Sequence, residues 1–337
     1  MEFLIKDWFH FQHMDIASNY ALVLLMEKKR GAMDFDYDSL VSLAAVVREG
    51  SFDAAAKSLS VTQSAVSQRI KQLEENVGSV LVIRGRPCMP TEAGLQLCRH
   101  VEQVTLLQHE LSNRLNTLVD GTEQNVATVR IGVNNDSLAT WFPLVIRRAA
   151  QELNIRFDIV PDDQEHTEQS LKSGDALAVV TAIEKPLQGC TRMSLGAMEY
   201  AAVAAADFFK KHFANGVSID TLTNAPCLAF DRKDTIQEQW MMLCFGEFTK
   251  PVTHLVPSYE GYMACCLNGT AWGLIPSLAC EEGLQDGSLI ELIPDKRMRI
   301  SLHWQSSTKS SEILRRLGEV VVEEAMVHLL PDSFRQA

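Results

Sequence analysis

The chain has 337 residues, of which 46% are hydrophobic, enough material for two or three packed domains. Its 31 Lys and Arg against 43 Asp and Glu give a net charge of -12, which excludes a surface that is basic throughout. Eight cysteines without a C-x-x-C pair outline neither a disulfide framework nor a zinc site, and they fit a reducing cytoplasm.

Residues 1–32 lie outside any pattern that follows. Their apolar run Ala21-Leu22-Val23-Leu24-Leu25-Met26 is far too short to span a bilayer. Lys28, Lys29 and Arg30 follow that run rather than precede it, the reverse of a signal peptide. The expectation is an upstream start or a poorly ordered extension, with a short helix over 17–29.

Three helical stripes come next. Leu40, Leu43, Ala44 and Val47, then Phe52, Ala55, Ala56 and Leu59, each fall at i, i+3, i+4 and i+7. Val66, Ile70, Leu73 and Val77 continue at helical spacing, with Thr62 as N-cap and Val61 and Val66 placed for a hydrophobic staple. The spacing predicts a trihelical core whose third helix shows a polar outer face of Gln63, Ser64, Ser67, Gln68 and Lys71. A helix-turn-helix presents such a face to base edges and phosphates, where Gln pairs with adenine and Ser and Lys suit phosphates. Residues 80–90 read as a β-rich run with a Gly/Pro turn, a wing whose Arg84 and Arg86 reach backbone or minor groove. With Thr62, these are the candidate DNA-binding residues. Lys57 to Pro90 carries five basic residues against two acidic ones, so positive charge is local and a second copy is needed to gather enough phosphate contacts.

Thr91 caps a long segment in which Leu97, Val101, Val104, Gln108, Leu111, Leu115 and Leu118 recur every three or four residues until Asp120-Gly121. About 28 residues at the helical rise make a rod of about 42 Å, suited to pairing with its counterpart in a second subunit. Cys98 and His100 face different directions on this helix and form no metal set.

The helices, the core Thr62-Gln63-Ser64-Ala65-Val66-Ser67 and the run Pro90-Thr91-Glu92-Ala93-Gly94 resemble the signature of LysR-type transcriptional regulators. The resemblance runs from about Met33 to the C-terminus. Ser64 to Glu74, Asn134-Asn135-Asp136-Ser137-Leu138-Ala139-Thr140-Trp141 and Ala229-Phe230-Asp231 are similar to the arginine- and lysine-responsive ArgP (IciA) branch. It implies an N-terminal all-α winged helix-turn-helix plus a long linker helix, followed by an α/β two-lobed, periplasmic-binding-protein-like regulatory domain. The expected organisation is an extension over 1–32, a DNA-binding domain over 33–90 and a linker helix over 91–120. Regulatory lobe I takes 121–197 and 301–337, and lobe II takes 198–300.

Beyond residue 125 strands and helices alternate, as in an α/β domain with a mostly parallel sheet. Strands are expected over 126–133, 155–160, 175–183, 200–204, 226–230, 252–256, 271–275, 288–292 and 300–304. Helices are expected over 138–153, 167–173 and 311–329, and the chain crosses between lobes near residues 197 and 300. A ligand then sits between the lobes, near strand C-termini. The loop Asn134, Asn135, Asp136, Ser137 and Leu138 is placed to hold an amino-acid carboxylate through its backbone N–H groups and the Ser137 hydroxyl. Asp162, Asp163 and, with Phe230, Asp231 are candidates for the amino and cationic groups. Thr181, Ser258 and Glu260 are further candidates at strand ends. Pro161 and the bulky Ser258-Tyr259-Glu260-Gly261-Tyr262 segment depart from the family's pattern.

The function implied is ligand-responsive transcription control of basic amino-acid export or metabolism genes, with L-lysine or L-arginine as effector and no cofactor, metal or catalytic residue. Double-stranded DNA, RNA polymerase and a second or fourth copy of the chain are the implied partners; no membrane is involved. The alternative is an architectural or replication-origin DNA-binding protein insensitive to amino acids. No nucleophile elbow, P-loop or dinucleotide fingerprint supports an enzyme.

Overall fold

The computed structural model describes residues 35–118, 126–162, 171, 176–186, 189–307 and 311–332. The expected helix over 17–29, the Asp120-Gly121 stop and most of the helix over 167–173 lie outside the described residues. The chain forms two compact units that divide between Val101 and Glu102.

The first unit opens with helices α1 (Tyr37–Glu49), α2 (Phe52–Ser58) and α3 (Gln63–Val77). Each is started by a side-chain cap: Asp36 accepts from Ser39 N, Ser51 from Ala54 N and Thr62 from Ala65 N. Leu40, Leu43, Phe52, Ala55, Val66, Ile70 and Leu73 are buried in one core. On α1 the buried face extends to Ala45 and Val46, while Ala44 and Val47 are only half-buried. This helix packs against both α2 and α3, so its apolar face is wider than one four-residue stripe.

Strands β1 (Val82–Ile83) and β2 (Met89–Pro90) form an antiparallel hairpin. Helix α4 (Glu92–Leu118) follows. Thr91 Oγ1 accepts from Gly94 N at 3.2 Å and donates to the Val80 carbonyl at 2.8 Å, clamping the hairpin to the helix start. Gly94 faces the Leu81 backbone so closely that a Cβ would overlap the carbonyl oxygen, which is the physical content of the glycine in Pro90-Thr91-Glu92-Ala93-Gly94. The stripe foreseen on α4 divides. Val101 is buried in the first unit, Leu106 is buried in the second, and Leu107, Leu111 and Leu115 are exposed by 54%, 58% and 51%.

The second unit is built on one sheet. Parallel strands β3 (Ala127–Asn134), β4 (Ile155–Asp162) and β5 (Ala178–Thr181) form one side. Two long strands, β6 (Cys190–Ala205) and β11 (Met298–Ser307), run antiparallel through its middle. Strands β9 (Gly273–Pro276) and β10 (Leu289–Glu291) pair with the far half of β6, also antiparallel. The sheet is therefore mixed rather than mostly parallel. The crossing strands continue hydrogen bonding through the crossings instead of leaving the sheet, and they set the antiparallel sense. Residues 197 and 300 lie in these strands, where Ala197 pairs with Ser301 and Met198 with Ile300. β7 (Cys227–Ala229) and β8 (Thr253–Leu255) form a separate parallel pair.

The helix expected over 138–153 is two helices, α5 (Asn135–Ala139) and α6 (Phe142–Leu153), broken at Thr140 and Trp141. Pro143 in the first turn of α6 lacks an N–H and disfavours helix in the residue before it, so a new helix starts there. Pro161 is accommodated because β4 is an edge strand. Helices α7 (Ala206–His212), α8 (Ile219–Asn224), α9 (Ile236–Phe245), α10 (Tyr259–Leu267), α11 (Ser277–Asp286) and α12 (Glu312–His328) complete the unit. Among the described residues no helix is long and apolar enough to cross a membrane.

Candidate functional site

In the first unit, α3 buries Val66, Ile70 and Leu73 and leaves Gln63, Ser64, Gln68 and Lys71 exposed and Ser67 half-buried. The exposed Thr62 is occupied in capping: its Oγ1 accepts from Ala65 N at 3.2 Å and lies 3.0 Å from Ser64 Oγ.

The five cations between Lys57 and Pro90 are not equivalent. Lys57 pairs with Asp53 at 2.8 Å, Arg69 with Asp38 at 2.9 Å and Lys71, loosely, with Glu75 at 3.8 Å. Among the described residues Arg84 and Arg86 have no acidic partner, and both project from the hairpin. The net positive charge counted along this segment is thus concentrated on the wing. Glu74, counted as an opposing charge, accepts from Leu81 N at 2.8 Å and Val82 N at 3.4 Å and so anchors the hairpin.

The second unit contains a cavity of about 470 Å³. The end of β3 contributes Asn134, and the turn into α5 contributes Asn135 and Asp136. Thr181 comes from β5, Tyr200 from β6, Phe230, Asp231 and Lys233 to Ile236 from the loop after β7 and the start of α9, and Tyr259 and Tyr262 from α10. Strand ends and the turns after them converge here, the ordinary location of a ligand site in an α/β sheet.

Its three carboxylates differ in commitment. Asp234 is engaged by the loop itself: Oδ2 accepts from Phe230 N at 2.8 Å and Gln237 Nε2 at 3.2 Å, and Oδ1 accepts from Ile236 N at 3.1 Å. Asp231 Oδ1 accepts from Lys233 N and Asp234 N, while Oδ2 has no partner among the described residues. Asp136 Oδ2 accepts from the Tyr200 hydroxyl at 2.7 Å, and Oδ1 has no such partner. Burial pushes the Asp136 carboxyl above the ordinary carboxylate range, against the pull of the Tyr200 hydrogen bond. Burial likewise raises Tyr259 to about 12 and Tyr200 well above a normal phenol, so both remain hydroxyl donors. The Tyr262 hydroxyl donates to the Leu228 carbonyl at 3.2 Å and accepts from Leu274 N at 3.1 Å. Its ring lies directly against Gly273, where any Cβ would collide with it.

Of the expected ligand residues, Asn134, Asn135, Asp136, Thr181, Phe230 and Asp231 line the cavity. Ser137 is fully buried, its Oγ without a partner among the described residues, and Leu138 packs on the core; neither is in the lining. Ser258 caps α10 by accepting from Gly261 N and donating to Glu260 Oε2, and neither Ser258 nor Glu260 reaches the lining. Their side chains are used at the start of α10, whereas the next residues, Tyr259 and Tyr262, face inward. Asp163 and the Asp162 side chain lie outside the described residues. The sequence reading missed Tyr200, Asp234, Tyr259 and Tyr262. The bulk of the 258–262 segment was a signal for the last two; Tyr200 gave none. Among the described residues no group of three His, Cys, Asp or Glu could hold a metal ion.

Residues 37–95 match the bacterial regulatory helix-turn-helix protein, LysR family, and residues 122–326 match the LysR substrate binding domain. The HTH-type transcriptional regulator ArgP of Pseudomonas fluorescens is 37% identical over 301 residues, 88% of this chain and 99% of that protein. The crystal structure of ArgP from Mycobacterium tuberculosis superimposes with a TM-score of 0.76 at 37% identity, covering 88% of this chain and 98% of that one. Full-length LysG from Corynebacterium glutamicum with bound effector arginine gives a TM-score of 0.68 at 32% identity, covering 88% and 100%. With both domains matched in order along one chain, the protein belongs to the LysR family of helix-turn-helix transcriptional regulators.

Proposed function

We propose that the cavity binds a basic amino acid, L-arginine or L-lysine, and that its occupancy sets how the protein engages DNA at genes of basic amino-acid export or metabolism. The observation that carries this is the pair Asp136 and Asp231, each with an oxygen that has no partner among the described residues, on one cavity whose lining also includes Lys233. A buried carboxylate without a counter-charge is destabilising, and a ligand's ammonium or guanidinium supplies that charge together with hydrogen bonds. LysG with bound arginine supports the same ligand class. Asn134, Asn135, Thr181 and Phe230 complete the site.

On DNA, Gln63, Ser64, Ser67, Gln68 and Lys71 meet the major groove, and Arg84 and Arg86 meet phosphates or the minor groove, with Thr62 holding the helix start. The exposed Leu107, Leu111 and Leu115, four residues apart on α4, support pairing with a second copy, and pairs of dimers extend this to a tetramer. The setting is the cytoplasm, and RNA polymerase is the partner the family implies.

A thermal-shift screen of the twenty amino acids, followed by footprinting with and without the hits, tests the reading. Stabilisation by arginine or lysine and a ligand-dependent footprint are expected. No shift with either overturns the ligand class, and a footprint indifferent to a bound ligand favours the architectural alternative.

A further inference from the structure

The wing is fixed at its base by hydrogen bonds from its backbone N–H groups. Leu81 N donates to Glu74 at 2.8 Å, Cys88 N to the Gly50 carbonyl at 2.7 Å and Thr91 N to the Leu81 carbonyl at 2.9 Å. None of these touches the Arg84 side chain. Its one partner among the described residues is aromatic: the guanidinium carbon lies over the Phe52 ring, 4.9 Å from the centroid. Phe52 opens α2 directly behind the Ser51 cap and is otherwise a core residue, 9% exposed.

We propose that Phe52 is a positioning residue for DNA binding, whose ring holds the Arg84 guanidinium ordered on the wing before DNA arrives. The inference rests on the reading of Arg84 as a DNA contact. The choice of partner matters physically. An acid would neutralise the arginine and would have to be displaced by a phosphate, as at Lys57, Arg69 and Lys71. A ring face attracts the cation through its quadrupole and leaves the in-plane N–H donors free for phosphate or base acceptors. Phe52 thereby restrains one of the two wing cations without neutralising it, and a leucine of similar bulk would fill the core but not do this.

The test uses the full-length protein and one fixed duplex from the pool that wild type enriches out of a random library. Replacing Phe52 with 3,4,5-trifluorophenylalanine keeps the ring's shape and weakens its negative face; Phe52→Leu removes the ring. Each is expected to weaken DNA binding about threefold to fivefold, the equilibrium equivalent of an exposed cation–π contact. The fluorinated protein keeps the wild-type thermal midpoint, and in an Arg84→Gln background neither change at position 52 has a further effect. Wild-type affinity of the fluorinated protein overturns the inference. So does an undiminished loss in the Arg84→Gln background, which marks a structural role alone. If Arg84→Gln itself binds as tightly as wild type, the DNA-contact reading of Arg84 falls first.

Discussion

The two units place their functional groups in opposite ways. The helix-turn-helix face is made from consecutive turns of one helix and one hairpin, and it works by leaving polar and cationic groups exposed over a closed apolar core. The cavity draws on β3, β5, β6, the loop after β7 and α10, and it gathers carboxylates, one of them raised by burial, that the described residues only partly satisfy. A surface proposed to meet a polyanion keeps its charge in solvent, and on the wing keeps it free of acidic partners among the described residues. A site proposed to bind a small cation holds carboxylate oxygens without a described partner away from bulk solvent.

The largest effect that would break this comparison lies at Asp136. Asp136→Asn keeps an acceptor for the Tyr200 hydroxyl but removes the charge, and it is expected to weaken arginine or lysine binding about tenfold to hundredfold in calorimetry, with DNA affinity unchanged. Stability moves the other way. A carboxyl whose folded pKa is raised holds its proton more tightly in the native state, so wild-type stability falls as pH rises from the ordinary carboxylate range through the raised value. Asp136→Asn lacks that loss. Without ligand it is expected to melt above wild type at pH 7, and the gap should close as the pH is lowered through the carboxylate range. A variant less stable than wild type at neutral pH would mean that the carboxylate is a structural member rather than a ligand group.

Next in size is the contrast between free and paired cations. Arg84→Gln with Arg86→Gln is expected to weaken DNA binding on the order of tenfold and to lower the salt slope by up to about 2, near 0.9 for each phosphate no longer neutralised. Lys57→Gln, whose charge is already matched by Asp53, should change the slope little. Equal effects from the two sets would show that ion pairing on this face does not decide which cations meet DNA.

The same contrast explains what could be read in the sequence. Gln63 to Lys71, behind the Thr62 cap, is one contiguous stretch of helix, so burial and exposure follow from spacing alone. The pairing of Arg69 was not legible, because Arg69 and Asp38 are 31 residues apart and meet only when α1 packs on α3. In the second unit the strands near 155–160 and 300–304 announced themselves through β-rich runs, and Asn134 to Asp136 and Thr181 through their places at strand ends. Tyr200 meets Asp136 across 64 residues, and its own neighbourhood is a mostly apolar stretch of β6 whose one adjacent acid, Glu199, is engaged by Arg297 and Arg299. Ser258 and Glu260 attracted attention as polar groups at a strand end, yet a helix start uses such residues for itself.

Glu74 carries a smaller effect that links α3 to the wing. Glu74→Gln keeps an acceptor but weakens a charge-assisted bond to Leu81 N, and it should lower the stability of the first unit by about 1 kcal/mol in denaturant unfolding. DNA affinity should fall with it while ligand binding stays put. A loss of DNA affinity without any loss of stability would instead make Glu74 a modulator of the wing's charge.

The smallest expected effect marks the border of the cavity. Ser258→Ala removes the N-cap of α10 and should cost about 1 kcal/mol of stability, the usual contribution of such a cap. Arginine or lysine affinity should be unchanged, because Tyr259 and Tyr262 are carried inward by the body of the helix and by the Tyr262 bonds to Leu228 and Leu274. Glu260→Gln should alter neither quantity measurably, since its carboxylate is exposed and touches only the cap hydroxyl. A tenfold loss of ligand affinity in either variant would move the first turn of α10 into the site, and the cavity would then read its ligand with an acid that solvent also reaches.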